Sequence, residues 1–347
     1  MFCKQMWQHG VAGEHARALL VLNRVGLDCA TIRNLMAPTR RALLQRLPAL
    51  AAQLLLTQAA GAQTAAVESA LASKAIPSTG EPIPLVGLGT WITFNVGDDR
   101  VAQDAGAEVM RAFFAGGGRM VDSSPMYGSS QATIGHGLAR VKPAALFSAE
   151  KVWTSSGRSD GRGPAQIEQS RKLWGVSRFD LLQIHNLLDW EVHLQTLLEM
   201  KATGRLRYVG ITTSEGRRHR EIEAMLRSQP IDFLQLTYNP LDREAEQRLL
   251  PLAAERRIAV IANRPFREGA LLQALARHRL PAWAASELGC DGWAQLVLKF
   301  TVSHPAVTCA IPATSSVAHV RQNLGAARGP MPDAALRQKI SSHIAAL

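Results

Sequence analysis

The chain has 347 residues, 47% hydrophobic and 19% charged, a composition typical of a folded globular protein with room for one large domain or two small ones. Its formal net charge of +11 is not concentrated in a basic stripe: residues 1–62 hold seven Lys or Arg against two Asp or Glu, and the remaining excess is spread along the chain. This distribution argues against nucleic-acid binding. The four cysteines form no disulfide framework, and no pair has metal-ligand spacing, so no metal site is predicted.

The first 62 residues are predicted to be a leader that directs export. Thr39-Arg40-Arg41 precedes an Ala- and Leu-rich stretch, Leu47 to Ala60, and the small residues Ala60-Gly61-Ala62 suit cleavage before Gln63. This order resembles a twin-arginine signal peptide, which implies a periplasmic protein. The stretch is about 14 residues long and contains a proline, so it is too short to span a bilayer.

Two alternatives are open for this segment. An Ala-rich extension of a cytoplasmic protein would have a similar composition. Met36 offers a second start codon besides Met1 and would leave a short leader that is positive through the arginines. Residues 63–80, rich in Ala, Ser, Thr and Pro, are predicted to be a linker, and residues 81–347 a single folded domain.

From Pro84 onward, short apolar runs alternate with longer amphipathic stretches, which is typical of a parallel sheet with crossover helices. Most of the runs are apolar without alternation, as in strands buried on both faces. The predicted strands are Leu85-Gly89, Met120-Asp122, Leu146-Ala149, Leu181-His185, Tyr208-Ile211, Phe233-Leu236, Ala259-Ala262 and Val307-Ile311.

Amphipathic patterns between these runs predict helices, several of which end at glycine. They cover Asp104-Ala115, Trp190-Thr203, Arg217-Arg227, Arg243-Arg257 and Asp291-Thr301. Eight strand–helix units in a domain of this size predict an α/β fold of the (β/α)8 TIM barrel type. A doubly wound sheet is the alternative, but it would want a G-x-G-x-x-G turn after its first strand, and Gly87-Leu88-Gly89 supplies only two glycines.

Four residues that suit proton transfer follow successive predicted strands. Asp122 opens the segment D-S-S-P-M-Y-G, which ends in Tyr127-Gly128, while Lys151 and His185 come at the ends of the next two strands. Functional residues of a barrel lie at the carboxyl ends of its strands, so these side chains are expected to meet. They form the candidate catalytic set.

The chemistry of this set suits the reduction of a carbonyl group. A free tyrosine has a pKa near 10, and a neighbouring lysine ammonium lowers that value by favouring the phenolate. A carboxylate keeps the ammonium charged, and a histidine beside the phenol can hydrogen-bond the same substrate oxygen. The set lacks a strong nucleophile, and Ser123 and Ser124 do not lie in a G-x-S-x-G elbow, so acyl transfer is not indicated.

From about residue 82 to residue 327 the chain resembles the aldo-keto reductases. Six motifs occur in that family's order: Gly87-Leu88-Gly89-Thr90-Trp91, Val121 to Gly128, Glu150-Lys151-Val152, Ile184-His185-Asn186, Gln235 before Tyr238-Asn239-Pro240, and Ile311-Pro312-Ala313-Thr314-Ser315. The resemblance implies a (β/α)8 barrel and a nicotinamide cofactor. It also makes Tyr127 the general acid, tuned by Lys151 and Asp122, with His185 orienting the carbonyl.

The resemblance implies cofactor residues in two groups, and this chain departs from the family in both. For the nicotinamide it implies Thr212 and Thr213, where Ser-Asn is common, Gln235, and Arg264, where an aromatic ring is usual. An arginine plane can also stack on a ring. For the adenosine end it implies Asn323 at the adenine.

The usual Lys and Arg that hold the 2′-phosphate are replaced by Ala313 and His319, which leaves Thr314, Ser315 and Arg321 as candidates. NADP is therefore the expected cofactor, with NAD possible. Trp91 and Asn186 are the candidate substrate contacts. Glu150 stands where the family often has threonine.

These inferences together predict an NAD(P)H-dependent oxidoreductase that reduces a small-molecule aldehyde or ketone to the alcohol. We expect it to act as a monomer, without a membrane span and without nucleic acid. The alternative is a barrel that binds the cofactor in a regulatory or sensing role with little turnover. The intact set of Asp122, Tyr127, Lys151 and His185 favours the enzyme, because a sensor need not keep an acid.

Overall fold

The structure is a computed structural model, and it describes residues 70–154 and 162–347. The predicted leader and most of the predicted linker lie outside the described residues. Within these two ranges, no helix is both long and apolar enough to cross a membrane.

Eight parallel strands form one sheet in which each strand pairs with its neighbour in the chain. A short antiparallel hairpin precedes them, made of β1 (Ser73–Ala75) and β2 (Pro82–Pro84). The parallel strands are β3 (Leu88–Gly89), β4 (Met120–Asp122), β5 (Phe147–Val152), β6 (Phe179–His185), β7 (Leu206–Thr212), β8 (Phe233–Thr237), β9 (Ala259–Asn263) and β10 (Val307–Ala310).

The sheet closes into a barrel because the chain around β3 also bonds to β10. Val86 bridges to Ala310 and Gly89 to Ala313, both in parallel. The glycines of Gly87-Leu88-Gly89 permit this approach. A Cβ on Gly89 would lie 2.6 Å from the carbonyl oxygen of Ile311, and one on Gly87 would lie 3.1 Å from Cγ2 of the same residue. The fold is the predicted (β/α)8 barrel.

Helices lie outside the barrel and follow the strands. They are α1 (Arg100–Ala115), α2 (Ser130–Val141), α3 (Arg162–Trp174), α4 (Trp190–Ala202), α5 (His219–Ser228), α6 (Leu249–Glu255), α7 (Ala270–Leu275), α8 (Ala282–Leu288), α9 (Trp293–Ser303), α10 (Val317–Gly325) and α11 (Ala334–Ala345). Several begin at side-chain caps: the Asp99 carboxylate accepts the backbone N–H groups of Val101 and Ala102 before α1, and Asp333 accepts that of Leu336 before α11.

The five helical patterns recognised in the sequence all contain helices, but one is interrupted. The range Arg243-Arg257 holds a 3₁₀ turn, Glu244–Glu246, followed by α6. Pro251 explains the break, because proline lacks an N–H and is accommodated only in the first turn of a helix. Six helices of the described residues lie outside these patterns: α2, α3, α7, α8, α10 and α11.

The core consists of two layers separated by the sheet, because successive strand residues face opposite sides. Val121, Leu182, Val209 and Leu234 belong to the outer layer beneath the helices. The inner layer fills the barrel with Ile76, Ile83, Met120, Phe147, Ala149, Leu181, Tyr208, Phe233, Ala259, Ile261, Cys309 and Ile311. Burial of each large side chain of this kind contributes about 1.5–3 kcal/mol.

The hairpin of β1 and β2 contributes to this inner layer. Ile76 and Ile83 are fully buried in it. The Lys74 ammonium donates to the carbonyl oxygens of Val302, His304 and Val307 at 2.6–2.7 Å. Folded structure therefore includes residues 73–76, which lie within the predicted linker 63–80.

Candidate active site

The inward-facing residues change from apolar to polar towards the carboxyl ends of the strands. On β5 the inner sequence is Phe147, Ala149, Lys151, and on β6 it is Leu181, Gln183, His185. Similar polar residues end the neighbouring strands: Asp122 on β4, Thr212 on β7, Thr237 on β8 and Asn263 on β9. The barrel interior is thus filled with apolar side chains towards the amino ends of the strands and with polar side chains at their carboxyl ends. The candidate site lies where the apolar filling ends.

Asp122 and Lys151 form a buried ion pair at the base of the site. Lys151 Nζ donates to Asp122 Oδ2 at 2.5 Å and to the carbonyl oxygen of Ser123 at 2.8 Å. Asp122 Oδ1 accepts the side-chain amides of Gln183 at 3.1 Å and Gln235 at 2.8 Å. Burial lowers the pKa of Lys151, but Asp122, Tyr127 and Glu150 together raise it, with a net result above the ordinary value. Lys151 is therefore a fixed positive charge.

Tyr127 lies half-buried above this pair. Lys151 Nζ is 5.3 Å from the centre of the phenol ring, and the His185 ring stands edge-on to it with centroids 6.0 Å apart. Burial raises the pKa of Tyr127 and Lys151 lowers it, with a net result above the ordinary value. The expectation from sequence that Lys151 dominates this pKa is therefore corrected, because burial is the larger effect. The phenol carries its proton at neutral pH.

His185 is almost buried and neutral. Burial and the nearby Lys151 ammonium lower the pKa of its imidazole to about 3. Its Nδ1 lies 2.9 Å from the hydroxyl oxygen of Ser124. The four predicted catalytic residues are thus brought together by β4, the loop that follows it, β5 and β6.

A cleft of about 590 Å³ opens over these residues and extends across the top of the barrel to α10. Eleven of the fourteen predicted site residues line it: Trp91, Asp122, Tyr127, His185, Asn186, Thr212, Thr213, Gln235, Arg264, Thr314 and Asn323. Lys151 lies beneath the lining, against Asp122.

The structure places the other two predicted residues, Ser315 and Arg321, on the exposed surface outside the cleft lining. On α10 the cleft is lined by His319, Gln322 and Asn323, which share one helix face because they are three and four residues apart. Arg321 points elsewhere for the same reason. Arg321 therefore lies outside the cleft lining, and its contact with the phosphate stays a prediction.

Arg264 forms part of the cleft wall, and two ion pairs that the sequence did not predict hold it there. Its guanidinium pairs with Glu215, from the loop after β7, and with Glu268 at 2.6 Å. The same guanidinium lies 5.9 Å from the centre of the Trp91 ring. Arg264 thus joins three loops at the mouth of the cleft, with its positive charge matched by two carboxylates.

Glu150, beside Lys151 on β5, faces away from the cleft and is fully buried between the sheet and the helices. Its carboxylate accepts Gln131 Nε2 at 2.9 Å, Trp174 Nε1 at 2.8 Å and the backbone N–H of Lys151 at 2.8 Å. Burial raises its pKa to about 7, against the opposing hydrogen bond from Gln131. These partners account for a residue that the sequence left unexplained.

In the part of the chain that the structure describes, no group of three or more His, Cys, Asp or Glu side chains could hold a metal ion. Cys290 and Cys309 are buried free thiols, and burial raises the pKa of the Cys290 thiol to about 11.

Comparison with known proteins agrees with this geometry. The family model described as the aldo/keto reductase family matches residues 85–338. Methylglyoxal reductase YeaE of Escherichia coli (strain K12) is 25% identical over 248 residues, which cover 70% of this chain and 84% of that protein.

Solved structures share the fold. An aldo/keto reductase from Klebsiella pneumoniae, in complex with NADP and acetate, has a TM-score of 0.67 at 20% identity and covers 79% of this chain and 96% of its own. The thermostable aldo-keto reductase Tm1743, in complex with the inhibitor epalrestat, has a TM-score of 0.63 at 26% identity and covers 78% of this chain and 98% of its own.

Proposed function

The chain belongs to the aldo/keto reductase family of oxidoreductases, and from that premise we propose that it reduces an aldehyde or ketone to the alcohol with NADPH or NADH. One observation carries the proposal: a protonated phenol and a neutral imidazole converge above a buried ammonium–carboxylate pair in an open cleft. This is the arrangement needed to protonate an oxygen and to stabilise the phenolate that remains.

Tyr127 is the proton donor in this proposal. Its raised pKa keeps the phenolic proton in place at neutral pH, so the acid form is populated when substrate binds. As the proton passes to the carbonyl oxygen, the negative charge left on the phenol is stabilised by Lys151, whose own charge is held by Asp122. Neutral His185 donates a hydrogen bond to the same oxygen.

The cleft has room for a nicotinamide dinucleotide, which when bound supplies the hydride for the carbonyl carbon. Hydroxyl and amide side chains line the end near Tyr127 (Thr212, Thr213 and Asn263), and the first turn of α10 lines the other. Backbone N–H groups at a helix N-terminus suit a phosphate. Residues 313, 314, 319, 322 and 323 line that end without a lysine or arginine, so within the lining His319 is the candidate partner of a 2′-phosphate.

The substrate is proposed to be a small carbonyl compound with an apolar group. Trp91, Ile92 and Met126 line the cleft beside Tyr127, and 36%, 62% and 40% of their surface is exposed. Exposed apolar side chains grouped at a cleft mark a contact surface for an apolar ligand. Asn186 adds a polar group at the same mouth.

Two measurements on the purified chain test this function. Titration with NADPH and with NADH, followed by cofactor fluorescence, measures the two dissociation constants. Turnover with a panel of aldehydes and ketones then measures kcat/KM, and we expect apolar aldehydes to exceed charged ones. Binding of a cofactor without turnover of any carbonyl would support the regulatory alternative instead, and failure to bind either cofactor would contradict both.

A further inference from the structure

Ser124 is buried against the catalytic histidine and has no role in the chemistry described so far. It is the second serine of the segment D-S-S-P-M-Y-G, and its side chain is fully buried. Its hydroxyl oxygen lies 2.9 Å from Nδ1 of His185. This hydrogen bond joins the loop that carries Tyr127 to the strand that carries His185.

The direction of this hydrogen bond follows from the other partner of the hydroxyl. The backbone N–H of Met126 points to Ser124 Oγ at 3.4 Å, so this oxygen already accepts a weak hydrogen bond. A hydroxyl has one proton to donate, and the Nδ1 lone pair is the acceptor beside it. If Nδ1 instead carried the proton, Ser124 Oγ would have to accept twice and its own proton would lose this acceptor.

A neutral imidazole carries one proton on one of its two nitrogens. His185 is neutral because burial and Lys151 suppress its protonation. When Nδ1 accepts from Ser124, the single proton is on Nε2, which is the nitrogen left for the cleft that His185 lines.

We propose that Ser124 is a positioning residue: its hydroxyl donates to Nδ1 of His185, fixes the Nε2–H tautomer and so makes His185 a hydrogen-bond donor to the substrate oxygen. The last step rests on the proposed reductase function. The tautomer itself depends only on the contact between Ser124 and His185.

Four forms of the full chain test this role: the parent, Ser124→Ala, Ser124→Thr, which keeps a hydroxyl, and Ser123→Ala as the matched control. Ser123 is equally buried, and its Oγ has no hydrogen-bond partner among the residues that the structure describes. The backbone oxygen of Ser123, which binds Lys151, is unchanged by the substitution.

The first readout is the ¹⁵N chemical shifts of the His185 ring, assigned by comparison with His185→Gln. We expect the parent to carry its proton on Nε2, with Nδ1 as the acceptor, and Ser124→Ala to shift the population towards Nδ1–H. A parent with the proton on Nδ1 overturns the proposal. So does a Ser124→Ala ring with the parental shifts.

The second readout is steady-state aldehyde reduction beside cofactor binding. Ser124→Ala should lower kcat/KM about tenfold, as expected for one hydrogen bond to the reacting oxygen, with the dissociation constant of NADPH unchanged. Ser124→Thr should recover most of the loss, and Ser123→Ala should lose less than Ser124→Ala. Equal losses in the two alanine variants overturn the assignment.

The two hypotheses fail separately. If the parent shows the Nε2–H tautomer and Ser124→Ala changes it, but no carbonyl turns over, the role of Ser124 in fixing the tautomer stands and the reductase function is wrong. If Ser124→Ala does not fold, the ring shifts of the parent and of Ser124→Thr still decide the tautomer.

Discussion

Lys151 is a buried ammonium, and its environment explains both its charge and its effect on Tyr127. Only 1% of its surface is exposed, and the Asp122 carboxylate and the Ser123 carbonyl oxygen compensate for the lost water. Removal of one partner from such a pair costs about 3–5 kcal/mol because the other charge stays buried. The pair therefore keeps the Lys151 ammonium charged beneath a phenol that burial keeps protonated.

Lys151→Met is expected to shift the pH dependence of reduction. The phenol loses the charge that lowers its pKa, so the pH at which Tyr127 loses its proton should rise, and the alkaline limb of kcat should move to higher pH. The rate should fall as well, because the phenolate loses its counter-charge. Steady-state kinetics between pH 6 and pH 11, roughly the range of the groups involved, measures the shift.

Lys299→Met is the matched control for this variant. Lys299 is also fully buried, and its ammonium donates to the carbonyl oxygens of Arg328 and Pro330, away from the catalytic groups. Its loss should lower stability and leave the pH profile in place. The claim that Lys151 lowers the pKa of Tyr127 would be contradicted if the alkaline limb of kcat did not shift in Lys151→Met. It would also be contradicted if the limb shifted equally in Lys299→Met.

Residues of the site differed in how far the sequence could predict them. The candidate catalytic set was predictable because each member follows an apolar run, and parallel strands bring their carboxyl ends together. Its members are Asp122, Tyr127, Lys151 and His185. The hydrogen bonds of Gln183 and Gln235 to Asp122 were not predictable, because they depend on which side of the sheet each strand residue faces. The position of Arg321 outside the cleft lining was not predictable for a similar reason: the face that α10 turns to the cleft is decided by packing.

Strand β5 shows how a single element serves two environments. Lys151 faces the barrel interior, while its neighbour Glu150 faces the helices and accepts hydrogen bonds from Gln131 on α2 and Trp174 on α3. Both carry ionisable groups without exposure to water. The Glu150 carboxylate therefore connects β5, directly beside Lys151, to the two helices α2 and α3.

Glu150→Gln is expected to change how stability depends on pH. Burial raises the pKa of Glu150 from 4.5 in the unfolded chain to about 7 in the folded one, so the folded state binds more protons between these values. Stability from this group is fully present below pH 4.5 and is lost as pH rises towards 7. The free energy of unfolding of the parent, relative to Glu150→Gln, should therefore fall across this window.

Urea denaturation at several pH values measures this difference, with Glu168→Gln on α3 as control. The pKa of the exposed Glu168 is lowered by its hydrogen bond from Arg171, so its small contribution has the opposite sign and is lost as pH falls. A parent-to-Glu150→Gln difference that stays constant or rises from pH 4.5 to 7 would show that the carboxyl is not buried in a protonated form.

The elements themselves were largely predictable, since eight apolar runs fell on eight strands. The strand pattern is strong because both faces are buried, which gives short continuous apolar segments. Helices were less predictable. The sequence of α2 contains two glycines and few large apolar residues, and its packing against α1 and α3 is what makes it helical. The hairpin of β1 and β2 was missed because its strands have three residues each.

For the whole molecule, we propose export through the twin-arginine route with cleavage after Ala62. That route carries folded proteins, so the barrel could cross with a cofactor in its cleft. Outside the cytoplasm no nicotinamide pool replenishes the cofactor, and an exported enzyme would have to hold it tightly and recycle it between two substrates. The signal residues lie outside the described part of the chain, so this proposal rests on the sequence.

Cell fractionation tests the location. The chain expressed from Met36 should appear in the periplasm, shortened to begin at Gln63, and a variant with Arg40→Lys and Arg41→Lys should stay uncut in the cytoplasm. Both forms should reduce aldehydes once purified, because the barrel is the same. An uncut parent in the cytoplasm would contradict export and leave the catalytic account untouched.

The central claim is that Tyr127 delivers the proton to the carbonyl oxygen, and kcat for Tyr127→Phe beside its NADPH dissociation constant tests it most directly. We expect kcat to fall by about two to four decades while cofactor binding is unchanged, because the change removes the acid and keeps the ring. Tyr208→Phe is the control, since that hydroxyl bonds Glu81 and Thr79 and its ring belongs to the inner core layer. Reduction by Tyr127→Phe at the parental rate would contradict the account.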